Sequence, residues 1–145
     1  MKKQTILYQY LNKSMVERSI FMCLKTITAE ITLDYDLEVL KIVKRGNDNH
    51  YYFGNMLISN RLLRINRIKK GLNKANCKYD LFTDDFKHYK SGYHCFDVNS
   101  NLNTLKFYMF SGEVIKQFII PKGTKIIVGK QFDLLSYVTP FLLNK

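Results

Sequence analysis

Between residues 92 and 128 the chain passes through four strand-sized stretches rich in β-branched and aromatic side chains, 92–98, 105–110, 113–120 and 125–128. Turn formers stand between them: Asn99-Ser100-Asn101, Ser111-Gly112 and Pro121-Lys122-Gly123. Runs this short, bounded this tightly, read as antiparallel strands in a meander. Ser111-Gly112 is short enough for a two-residue hairpin loop. Pro121 has the fixed φ that starts a turn, and Gly123 tolerates the positive φ that ends one.

The first half is more mixed. Residues 4–11 are expected as a strand and 14–24 as a helix, because Ser14 followed by Glu17 makes a capping box. Ile31, Leu33, Tyr35, Leu37 and Val39 alternate with Thr32, Asp34, Asp36 and Glu38, the period-two pattern of a half-buried strand. Residues 45–49 are dense in turn formers, and His50-Tyr51-Tyr52-Phe53 reads as the strand returning from a hairpin. A length of 145 residues fits one domain, and 46% hydrophobic content with only two prolines excludes a disordered or collagen-like chain. The expected fold is therefore α+β: a single domain over 1–145, mainly antiparallel sheet with one or two packed helices.

Charge is distributed unevenly. Residues 1–48 carry eight cations and six acids, and 80–145 carry eight and six again. Residues 49–79 contain Arg61, Arg64, Arg67, Lys69, Lys70, Lys74 and Lys78 with no Asp or Glu, seven of the eleven excess charges. Leu62, Ile65 and Ile68 recur every third residue beside the three arginines, which suits a short amphipathic helix opened by Ser59 or Asn60 and closed at Gly71. A strand is the competing reading, and in either case the arginines are expected to share a surface. Such a block is either screened by solvent or neutralised by a polyanion, of which nucleic acid is the commonest. Tyr51 and Tyr52 directly precede it and could stack on bases.

Three cysteines without paired spacing, Cys23, Cys77 and Cys95, fit a reducing compartment. The basic start is broken by Gln9, Asn12 and Lys13 before a signal-peptide core forms, and the longest apolar runs fall far below the ~20 residues that span a bilayer. A cytoplasmic protein without membrane contact is expected. Gly46, Gly54 and Gly71 are isolated, so no phosphate loop and no cofactor are indicated.

The densest titratable cluster runs from Tyr79 to Cys95. His88 and His94 as acid and base, with Lys90 against a phosphorane, would suit a metal-independent ribonuclease. Alternatively, residues 83–90 form a helix capped by Thr83, with Asp84 and His88 simply paired on one face. Cys77, His88, His94 and Cys95 are zinc-ligand types at the wrong intervals, so no metal is expected. A nucleophilic Cys95 would need a lowered pKa, against which stands the commoner buried strand cysteine.

Residues 112–129, followed by Ser136-Tyr137-Val138-Thr139, resemble a closing module of small phage and mobile-element proteins. The strand, Pro-Lys-Gly-Thr turn and strand also resemble the late sheet of ADP-ribosyltransferase-like domains. That family implies an early-strand Arg or His, a Ser-Thr-Ser strand and a late catalytic Glu. Here the corresponding places offer Tyr8 and Tyr10, then Ser91-Gly92-Tyr93-His94, and Glu113 ahead of the turn.

The function expected from these readings is a small basic binding protein, phage-encoded by resemblance, that engages RNA, DNA or a nucleic-acid-associated protein through residues 61–78. The alternatives are a non-enzymatic inhibitor docking on a host or defence protein, and a small ribonuclease or ADP-ribosyltransferase-like enzyme.

Overall fold

A computed structural model describes residues 24–58 and 61–145, and the side chains of 54–58 and 61–66 lie outside that description. The strand expected over 4–11, the capped helix over 14–24 and the caps Ser59 and Asn60 therefore fall wholly or almost wholly outside the described residues. The described chain forms β1 (Thr26–Thr32), β2 (Leu37–Arg45), β3 (Tyr51–Ile58), β4 (Arg61–Arg67), β5 (Gly71–Lys74) and β6 (Asp80–Phe82). It continues through β7 (His88–Lys90), β8 (Tyr93–Asp97), α1 (Leu102–Phe107), β9 (Glu113–Ile120), β10 (Lys125–Gln131), β11 (Leu134–Thr139) and β12 (Phe141–Asn144).

The expected α+β architecture is overturned: twelve strands and one six-residue helix make a sheet-dominated fold among the described residues. Ten strands join one antiparallel sheet in the order β1-β10-β11-β8-β2-β9-β12-β5, with β3 on β2 and β4 on β3, while β6 and β7 pair separately. One face of that sheet is dry. Val39 and Val43 of β2, Phe53 of β3, Phe118 of β9, Ile126 of β10, Tyr137 of β11 and Leu142 of β12 belong to a single buried cluster. That cluster runs across the sheet from β10, next to one end, to β12, next to the other. On the outer face α1 packs Leu105, fully buried, against Leu40 and Phe96.

Several sequence expectations are corrected by this sheet. The run 31–39 is not one strand: β1 ends at Thr32 and β2 starts at Leu37, with a bend at 34–35 that leaves Tyr35 57% exposed while Leu33 is buried. Residues 105–110 are not a strand. Asn101, read as a turn former, accepts from the Asn103 and Thr104 backbone N–H groups and starts α1 instead. Residues 83–90 are not a helix but the β6–β7 hairpin, in which Thr83 bonds Asp85 and both N–H and C=O of Lys87 close on Thr83. The amphipathic helix expected around 60–71 is strand β4. Nor do the late strands form a meander: β9 lies between β2 and β12, and β10 between β1 and β11, so the Pro121–Gly123 turn connects strands that are not neighbours. The carboxyl-terminal residues pack on the core as β12, with Leu142 fully buried.

The β10–β11 hairpin turns through Phe132 and Asp133 with φ of 55° and 58°, between the paired residues Gln131 and Leu134. Both are left-handed, which two-residue hairpin turns require and L side chains resist. Phe132 is held by stacking on Tyr108 (3.9 Å between centroids) and Phe96 (5.9 Å). Asp133 is exposed, with no ring packing of that kind. Asp133→Gly should therefore raise stability by about 0.5–1 kcal/mol, read as a shifted urea midpoint at unchanged slope.

Candidate nucleic-acid interface

The hairpin at residues 45–51 sets the site. The β2–β3 turn is closed by Gly46 N–H to the His50 carbonyl (2.7 Å), and beyond it Arg45 pairs with Tyr51 and Lys44 with Tyr52. Tyr52 in turn pairs with Arg67 on β4. Lys44, Tyr52 and Arg67 thus stand in one row across three strands, close enough for side-chain contact. The Tyr52 hydroxyl donates to Asp48 (2.6 Å), fixing the ring, and that bond holds the Asp48 carboxyl below its usual range. Tyr51 is flanked by another cation, since the Lys116 Nζ lies 4.6 Å from its ring centroid.

Past Tyr52 the β3–β4 pair continues alone. Residues 54–58 pair only with 61–65, so this part is a two-stranded ribbon beyond the sheet. Strand alternation corrects the expected shared surface of the arginines: positions 61 and 67 fall on the Lys44–Tyr52 face, and position 64 on the other.

After β4 the cationic segment follows the sheet margin. Ile68 N–H bonds the Tyr51 carbonyl, and the Asn73 side chain ties the Lys69 N–H and C=O into a tight turn at Gly71, φ 89°. Then β5 pairs with β12 at the end of the sheet, and the 75–79 loop crosses to Ser91, whose Oγ donates to the Asn76 carbonyl at 2.7 Å. Arg67, Lys69, Lys70, Lys74 and Lys78 are all exposed. None of the five meets a carboxylate among the described residues, whereas Lys87, Lys90 and Lys125 elsewhere each do.

The two histidines of the ribonuclease reading are not brought together in an open site. His88 is exposed on β7 beside Phe82, and Lys90 is bound to Asp80 at 2.8 Å. His94 is 7% exposed, with Nε2 3.0 Å from the Tyr89 hydroxyl. That hydroxyl accepts from the Leu24 N–H (2.7 Å), so its proton is directed to Nε2, and a ring N–H of His94 bonds the Gly92 backbone. Burial, with the Lys41 charge nearby, pushes the imidazole down to about 3. A neutral ring with both nitrogens engaged is a structural part of the wall. Burial likewise pushes the Cys95 thiol up to about 12, leaving no thiolate for nucleophilic chemistry. Among the described residues no group of three His, Cys, Asp or Glu gathers as metal ligands, and no helix is long and apolar enough to cross a membrane.

Sequence reasoning missed Lys44, Arg45 and Lys116. The first two were findable by counting outward from the 46–50 turn, which places 45 opposite 51 and 44 opposite 52. Lys116 was not, because β9 reaches β2 only through a non-local pairing. No family model, curated protein or solved structure matches the chain.

Proposed function

We propose that the protein is a non-catalytic binder of single-stranded nucleic acid that acts in a reducing cytoplasm. The observation that carries this reading is the Lys44–Tyr52–Arg67 row, continued by four exposed lysines that meet no carboxylate among the described residues. A tyrosine ring held in place between cations suits a stacked base, worth about 1–3 kcal/mol, with the flanking phosphates on Lys and Arg. Lys69, Lys70, Lys74 and Lys78 extend the same attraction along the sheet margin, where phosphates can track without base recognition. Both described cysteines, Cys77 and Cys95, are free thiols, in keeping with a reducing compartment.

The test is the salt dependence of binding to a fluorescein-labelled oligo(dT) and oligo(U), followed by anisotropy. Affinity should fall steeply with salt, and Arg61→Ala with Arg67→Ala should reduce the log–log slope by about 1.4, two single-strand phosphate contacts at roughly 0.7 each. Tyr52→Ala should weaken binding by about tenfold with little change in slope. Binding that ignores salt, or that survives all three substitutions, rules the interface out.

A further inference from the structure

The β6–β7 hairpin leaves a groove between itself and strands β1, β10 and β11. Its volume is about 780 Å³, within the roughly 300–1,000 Å³ of small-molecule sites. The floor is apolar: Ile27, Tyr89, Ile127 and Val138 belong to one small cluster seated beneath it. The rim is cationic. Lys87 and Lys90 stand on the hairpin wall and Lys125 across from them, with Glu30 the single carboxylate lining the groove among the described residues.

The hairpin wall is held by bonds that do not involve these lysines. Asp84 N–H donates to the Lys25 carbonyl (3.1 Å), Leu24 N–H to the Tyr89 hydroxyl (2.7 Å), and Tyr79 N–H to Ser91 Oγ (3.2 Å). The groove is therefore preformed. Each rim lysine does face a carboxylate, Lys87 on Asp85 at 3.8 Å, Lys90 on Asp80 at 2.8 Å and Lys125 on Glu30 at 3.2 Å, but all six side chains are at least 42% exposed. Pairs so exposed contribute about 0–1 kcal/mol, so a ligand anion can take the lysine at small cost.

We propose that this groove binds a small amphipathic anion, an acyl-chain-sized apolar body on the floor with a carboxylate head held by Lys90 and Lys125. Three rim cations against one lining carboxylate select an anionic head over a cationic one. The apolar floor excludes a bare inorganic anion as the preferred occupant, since nothing there would repay its dehydration. Of residues 44–78 only Cys77 lines this site and only the Asn76 carbonyl, bonded by the lining Ser91, supports it; Lys44, Tyr52 and Arg67 do not line it, so it stands apart from that row.

The experiment is calorimetric titration of the full chain with dodecanoate and with dodecyltrimethylammonium, both below their micellar concentrations. Dodecanoate should bind at one site per chain, and the ammonium amphiphile about tenfold more weakly or worse. Because the whole protein is cationic, the decisive comparison holds net charge fixed. Lys90→Met with Lys125→Met should weaken dodecanoate by about tenfold, while Lys106→Met with Lys145→Met, neither of which lines the groove, should leave it within about twofold. Ile27→Asn, a half-buried change on an edge strand, should also weaken it, whereas Arg61→Ala with Arg67→Ala should not. Equal binding of both amphiphiles, equal losses in the two lysine pairs, or an unchanged Lys90/Lys125 variant would each overturn the proposal.

Discussion

The folding free energy of this protein should fall steeply as pH drops from about 6.5 towards about 3, the ordinary and the buried values for His94. The sign follows from which state takes the proton. In the unfolded chain the imidazole protonates near its ordinary value, while in the fold burial and the Lys41 charge keep it neutral down to about 3. Between those limits the unfolded state binds one more proton, so stability rises with pH at about 1.4 kcal/mol per unit and amounts to several kcal/mol over the window. Protonation inside the fold would turn Nε2 from acceptor to donor towards the Tyr89 hydroxyl, which already accepts from Leu24 N–H, and would place a second cation near Lys41. His94→Gln, whose amide oxygen can still accept from Tyr89, should cost about 1–3 kcal/mol at neutral pH and flatten the acid slope by close to one proton. Urea titrations at half-unit pH steps measure both. A variant that keeps the slope of the parent chain would place the acid lability on other groups.

The same histidine illustrates what the sequence could and could not reveal. Its placement on a strand was legible, because Tyr93, Cys95 and Asp97 alternate with it; its burial on both sides was not, since the outer face here is covered by a hairpin that starts fourteen residues earlier. The hairpin at 45–51 and strands β8, β9 and β10 were readable from turn residues and β-branched runs, all local signals. Failures came where a non-local partner decides. Residues 105–110 have strand-forming Phe107, Tyr108 and Phe110, yet Asn101 caps a helix and Leu105 is buried against Leu40 and Phe96. Leu62, Ile65 and Ile68 fit a helix until β3 supplies a partner for the whole run, and a spacing of three then splits the arginines between two faces. For the interface, Tyr51, Tyr52 and Arg67 were named from composition; the β3–β4 pairing sets Tyr52 beside Arg67, whereas Tyr51 falls on the opposite face, where Lys116 meets it through a sheet order that no local pattern encodes.

Core and interface meet at Phe53, so Phe53→Ala should disable both. Tyr51 and Tyr52 directly precede this residue, which is only 5% exposed, and its ring packs on Tyr93 at 4.3 Å and Phe118 at 5.8 Å between centroids. Among the described residues β3 pairs only with β4 and, through two residue pairs, with β2. A two-stranded ribbon in water is marginal without a packed face, and Phe53 supplies that face at its base. Truncation should cost about 3–5 kcal/mol, the usual range for a buried Phe in a tight core. Phe53→Leu should recover more than half of this by filling most of the volume. Below the unfolding transition of Phe53→Ala, the released base should also lower oligonucleotide affinity by about tenfold, because Tyr52 and Arg67 keep their row only while β3 is anchored. Urea unfolding and anisotropy on the same samples separate the two effects. A loss of stability without loss of affinity would mean the ribbon holds its register unaided, and a loss below about 1 kcal/mol would remove Phe53 as the link between sheet and ribbon.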